Sequence, residues 1–133
     1  MLRRLCLATA AALGLAALAN GLFMLADPRD WYLTVPGVPA SGPFNQHFLR
    51  DIGLIFVFIA AAFLTGIARP DWRTALWGAA SLWLTGHALF HVWEVVAGIH
   101  GPHVLAQDFA AVSLPALLGI ALTLWAAGDR IQD

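Results

Sequence analysis

Long apolar runs alternate with short polar breaks along this chain. The runs extend from about Leu5 to Ala26, His47 to Ala68, Thr74 to Ala97 and Asp108 to Ala127. Each is close to the roughly 20 residues that a helix needs to cross the hydrocarbon core of a bilayer. The pattern therefore predicts an all-α, integral membrane four-helix bundle that takes up residues 1–133 as one domain. The breaks carry the stop signals. Asp27 to about Asn45 contains Val35-Pro36-Gly37-Val38-Pro39 and Ser41-Gly42-Pro43, and this density of Pro predicts no helix there, since each Pro removes a donor and disfavours helix in the residue before it. Arg69-Pro70-Asp71-Trp72-Arg73 predicts a short turn, and Gly98-Ile99-His100-Gly101-Pro102-His103 a final loop. Pro115 falls inside the fourth run, where a kink is the ordinary result.

Composition strengthens the membrane reading. Of 133 residues, 60% are hydrophobic and 11% charged, against roughly 25% charged in an average soluble domain. A soluble domain of this size has too little interior to hide that much apolar surface. The net charge is -1 and no basic cluster suggests a nucleic-acid partner; the lipid bilayer is the expected one. Cys6 is a lone cysteine and forms no internal disulfide. Arg3-Arg4 ahead of the first run and Ala17-Leu18-Ala19 near its end have the layout of a cleaved signal peptide. The run continues through Gly21-Leu22-Phe23-Met24-Leu25, longer than such a peptide requires, so an uncleaved helix is preferred and cleavage stays open.

Charge also predicts orientation. Arg3, Arg4, Arg69, Arg73 and Arg130 fall on one side of the predicted bundle, Arg29 and Arg50 on the other. Short loops rich in Arg stay cytoplasmic, which places both termini inside. Trp31 and Trp93 then lie near the outer interface, Trp72 and Trp125 near the inner one, where amphipathic rings are enriched.

The polar residues gather toward the outer side, and the inner half offers almost none. His47 and Asp51 are four apart and share a helix face, with Arg50 beside them. His87, His91 and Glu94 fall in one narrow stripe of the third helix. Antiparallel neighbours bring the start of the second helix and the end of the third to the same depth. Ionisable residues at membrane depth normally face the bundle interior, a partner or a water-filled cavity. Imidazole and carboxylate together suit first-row metals, and bundles build such sites from facing helices. The candidate metal ligands are His47, Asp51, His87, His91 and Glu94, for Cu, Fe or Zn. Arg50 and Asn20 are expected around them, Arg50 as an ion-pair partner of Asp51 or Glu94 and Asn20 as an interhelical hydrogen-bonding residue. His100 and His103 read either as a solvated turn or as an entry site for metal or protons. Asp108 reads as a helix N-cap. Two alternatives stand beside the metal. One is a set of buried polar groups that satisfy each other and hold the helices in register. The other is a bis-His haem, which needs one ligand from each helix, such as His47 with His91.

Motifs for other chemistry are missing: no Cys-x-x-Cys, no Gly-rich phosphate loop and no Ser-centred nucleophile elbow occur. Gly78-Ala79-Ala80-Ser81 and Gly14-Leu15-Ala16-Ala17-Leu18 supply small residues for close helix contact. One resemblance is visible. Asn20-Gly21-Leu22-Phe23, Val35-Pro36-Gly37, Gly42-Pro43-Phe44-Asn45 and His47-Phe48-Leu49-Arg50-Asp51-Ile52-Gly53 resemble a group of small bacterial inner-membrane proteins, similar in size and topology to the DoxX-like four-helix proteins. DoxX-like proteins are associated with quinone-linked redox complexes. The resemblance implies a bacterial plasma membrane and an accessory role, and it carries no catalytic residue onto this chain; a membrane-protein partner or a second copy is expected beside the lipid. Two functions are thus expected to compete: transition-metal handling or redox work, and a non-catalytic membrane subunit.

Overall fold

The computed structural model describes residues 1–129 of the chain; Arg130, one of the Arg residues counted for orientation, lies outside them. The described residues are all-helical, with no strand among them. Long helices α1 (Leu2–Ala26), α4 (Gln46–Ala68), α5 (Pro70–Val96) and α7 (Leu114–Asp129) form the body. Short helices α2 (Pro28–Thr34), α3 (Val38–Ser41) and α6 (His103–Gln107) lie in the connections. A π-helical turn, Phe109–Ser113, runs directly into α7. Three helical stretches are long and apolar enough to cross a membrane: α1, α4 and the continuous helix Phe109–Asp129.

The connection between α1 and α4 departs from expectation. Pro was expected to forbid helix there, yet α2 and α3 form with Pro28 and Pro39 in their first turns. A first-turn residue has no intrahelical acceptor for its N–H, so Pro loses nothing there and its fixed φ favours the helix. Asp27 supplies the missing cap: its side chain accepts from Asp30 N–H at 3.1 Å. The turn after α4 is likewise tighter than expected. Only Arg69 separates α4 from α5, because Pro70 again opens a helix, and Arg73 becomes a helical residue rather than a turn residue.

The long helices pack in the order α1, α4, α5, α7, and α7 returns to touch α1. Neighbours are antiparallel, as the contacting pairs show. Gly21 meets Gly53 and Gly14 meets Leu64 between α1 and α4. Phe63 meets Trp77 and Phe56 meets Trp83 between α4 and α5. Ser81 bonds Thr123 at 3.2 Å between α5 and α7. Backbone meets backbone at Gly21 and Gly53, outside the two small-residue segments expected to allow it, whereas Gly14 and Gly78 meet the side chains of Leu64 and Thr123. A Cβ on Gly21 would sit 2.7 Å from the Gly53 carbonyl oxygen.

The core lies between the middle of the bundle and the end where α4 turns into α5. Trp77 and Phe63 are its largest fully buried side chains, while Met24, also fully buried, lies toward the opposite end against Gly53. Outside it, large apolar residues stand free, Leu82 at 76%, Phe58 at 70% and Leu124 at 68% exposed. Water would penalise so much apolar surface; lipid does not. Pro115 acts one turn early. The N–H it lacks would have met the Ala111 carbonyl, and the preceding residues widen into the π-helical turn, with Leu114 N–H reaching Phe109 O.

Candidate functional site

At the end of the bundle where α1 and α5 finish and α4 begins, the polar residues are held by different elements and engage different partners. On the first turn of α4, His47 Nε2 lies 3.3 Å from Asp51 Oδ2, both well exposed. The α-helical spacing of four brings them together. Arg50 does not join this pair. Its Nε donates to the Leu25 carbonyl at 3.1 Å, satisfying a free oxygen at the C-terminal end of α1. The expected ion pair with Asp51 or Glu94 is therefore replaced by an α1–α4 tie. Asn20 faces α2: its carbonyl accepts from Trp31 Nε1 at 2.8 Å, and its amide leans on Met24 sulfur at 3.7 Å. It bonds between elements as expected, but on the α1–α2 side, away from the α5 histidines.

On α5 the stripe expected from helical phase does form. The rings of His87 and His91 meet edge to face at 4.8 Å, and His87 stacks on Trp83 at 5.1 Å. His91 Nδ1 lies 3.0 Å from Asp108 Oδ2, each side chain about one-fifth exposed. The Nδ1 atom is shielded from solvent and the approach is not aligned as a hydrogen bond. Asp108 is thus turned toward α5. It does not cap the last helix with its side chain, as had been expected; its backbone carbonyl receives Ala111 and Val112 instead. Glu94 pairs away from His91, with His100 Nε2 at 3.9 Å from its Oε1. The Glu94 carbonyl also takes the N–H groups of Ile99 and His100, closing the end of α5 over the loop. His103, the first residue of α6, is exposed, and its ring lies over Gly101.

The five expected ligands do not converge. Among the described residues no three His, Cys, Asp or Glu side chains form a group that could hold a metal ion. His47 and Asp51 form one pair, His91 and Asp108 a second, Glu94 and His100 a third. The partners that split the set, Asp108 and His100, come from the connections around α6 rather than from the facing helix α4.

The opposite end holds a polar residue that the pattern did not announce there. Arg73 is 4% exposed, inside what was expected to be a nearly apolar half. Its Nε donates to the Gly66 carbonyl at 2.9 Å and Nη2 to Ile67 O at 3.4 Å. These carbonyls end α4 and lack intrahelical donors. Nη1 lies 3.7 Å from Asp129 Oδ2 on α7. The guanidinium also sits 5.4 Å from the Trp77 ring and 5.6 Å from Trp125, which stack on each other. One side chain thereby joins α4, α5 and α7. Its signal in the sequence is the pair of i,i+4 repeats Arg73/Trp77 and Trp125/Asp129. The chain matches no known family model, and no characterised protein or solved structure is detectably similar to it.

Proposed function

We propose that the chain is a multi-pass membrane protein in which all four long helices cross the bilayer, with both termini cytoplasmic, and that it serves as a non-catalytic subunit of the bacterial plasma membrane. The helix α5 is the fourth crossing. Its 27 residues suffice for length, and its polar side chains are spent inside the bundle or at its ends. One observation carries the functional part: six ionisable groups of the outer end pair off within the chain, His47 with Asp51, His91 with Asp108 and Glu94 with His100, each pair bridging two turns or two elements. Such pairing satisfies polar groups at membrane depth and sets helix register. It leaves the lipid-facing surface for the bilayer and for a membrane-protein partner or a second copy.

A second reading, transition-metal binding, is favoured by one feature. His87, His91 and Asp108 are successive neighbours, and the shielded His91 Nδ1 has no aligned donor or acceptor. Cu, Fe or Zn would find one imidazole–carboxylate pair there, His91 with Asp108, and no third ligand group among the described residues. Haem is a poorer fit, because the imidazole of His47 is already engaged with Asp51. Elemental analysis and a visible spectrum on protein purified in mild detergent, without chelator, decide between these readings. The subunit reading expects no stoichiometric metal and no absorption band, with His91→Ala lowering unfolding stability and Asp51→Ala scarcely changing it. About one equivalent of metal per chain, lost in His91→Ala, would replace it with the metal reading.

A further inference from the structure

The connection between α1 and α4 contains a recess that none of these ties uses. It measures about 410 Å³ and is lined by Arg29, Tyr32, Leu33 and Phe44. Arg29, Tyr32 and Leu33 are i, i+3 and i+4 on α2, so one face of that helix forms the floor. Phe44, just ahead of α4, covers one side, its ring 5.5 Å from that of Tyr32 and edge-on to it. The arrangement is anchored from both directions. Trp31 points the other way and donates to Asn20 of α1. Tyr32 Oη donates to the Gly42 carbonyl at 2.8 Å, holding the loop against α2. The Asp27 carboxylate is occupied by Asp30 N–H, and Asp30 lies about 100° around the helix from Arg29. Among the described residues Arg29 has no ion-pair partner.

A cation with free donors above apolar walls suits an anionic group that carries an apolar tail. Leu33 at 59% and Phe44 at 40% exposed continue the apolar rim outward, and Phe48 at 58% extends it along α4. We propose that this recess holds the phosphate headgroup of an anionic membrane phospholipid, with the guanidinium on phosphate oxygens and the acyl chains descending past Phe44 and Phe48. Guanidinium donors match phosphate geometry, and the end of a bundle is the depth at which headgroups lie. The proposal rests on the membrane reading above, since only that reading puts α2 beside lipid.

The test uses the full chain in nanodiscs of phosphatidylcholine with a minor share of phosphatidylglycerol. Phosphatidylglycerol retained per protein after detergent extraction is read by native mass spectrometry. Arg29→Ala is expected to lower retention about fivefold, the factor for one interfacial Arg worth ~1 kcal/mol. Arg29→Lys should keep part of it, and Phe44→Ala should lower it. Arg69→Ala, an exposed cation at the other end, should leave it unchanged. Equal retention in wild type and Arg29→Ala overturns the proposal, as does an Arg29-dependent site that inorganic phosphate empties as readily as lipid fills it. Failure of the chain to stay in the membrane fraction after alkaline carbonate washing would instead overturn the membrane reading itself.

Discussion

At the scale of single residues, Arg73 and His47 show how poorly charge alone predicts energetic weight. His47 and Asp51 make the shorter contact, but it is ionic only with His47 protonated, and both are exposed and one turn apart on one helix. Such pairs contribute about 0.3–0.5 kcal/mol. Arg73 is buried and answers carbonyl oxygens of α4 as well as Asp129. Arg73→Ala is expected to cost about 3 kcal/mol, within the range for breaking a buried charge network. Asp129 is 37% exposed on its side chain and 3.7 Å away, so Asp129→Ala should cost under about 1 kcal/mol. Reversible unfolding in mixed micelles measures both, and equal losses would show that the ion pair, not the carbonyl bonds, carries the tie. The i,i+4 repeats of Arg73 with Trp77 and Trp125 with Asp129 were masked in the sequence, because a Pro-Asp-Trp-Arg stretch after a helix reads as a charged turn. Only the start of α5 at Pro70 turns Arg73 inward. The histidine stripe was readable from spacing, and its ring contact at 4.8 Å follows from helix geometry. The choice of partners was not readable, since helical phase leaves the rotation of α4 against α5 open and says nothing of Asp108 and His100.

At the scale of elements, the long helices were legible because each apolar run ends at a residue that stops helices. Asp27-Pro28 closes α1, Arg69-Pro70 separates α4 from α5, and Gly98 follows α5 with a φ of 76°. The same residues misled where Pro begins a helix instead of ending one, as in α2 and α3. The π-helical turn before α7 had only Pro115 as its trace, and Pro115 predicts a disturbance without its form. Contact between α4 and α5 turns on a different residue. Gly66 lets the Trp77 indole lie directly on the α4 backbone, where Nε1 donates to Phe63 O at 3.0 Å. A Cβ there would drive into that ring, and Trp77 is 0% exposed, so it has nowhere to move. Gly66→Ala is therefore expected to destabilise by about 2 kcal/mol through overpacking, despite the higher helix propensity of Ala. Thermal unfolding followed by tryptophan fluorescence checks it. A stabilised variant would mean that α4 and α5 separate easily, which the buried Arg73 bonds oppose.

For the whole molecule, topology turns on α5 and its passage through the bilayer with its neighbours. Taken alone, it is less apolar than α1, α4 and the last helix, and it is not among the three that qualify by length and composition. Its polar side chains are distributed in a telling way. Arg73 and Ser81 are buried in the bundle, while His87, His91 and Glu94 lie toward the end where α4 begins, partly covered, with His91 and Glu94 paired and His87 against the His91 ring. Its exposed large residues are apolar along the middle, Leu82 and Leu89 among them. A helix that hides its polar groups against neighbours can cross lipid although its average hydropathy is low. Labelling with a membrane-impermeant maleimide tests this in cells, with Cys6→Ala as background and single cysteines at Ser41, Asp71 and Ala97. All three positions are exposed at helix ends. If α5 crosses and the Arg-rich side is cytoplasmic, Ser41→Cys and Ala97→Cys label in intact cells and Asp71→Cys only after permeabilisation. Labelling of Asp71→Cys and Ala97→Cys from the same side would take α5 out of the bilayer. The reverse pattern, with Asp71→Cys alone labelled in intact cells, would keep four crossings and invert the orientation, against the Arg count of the loops.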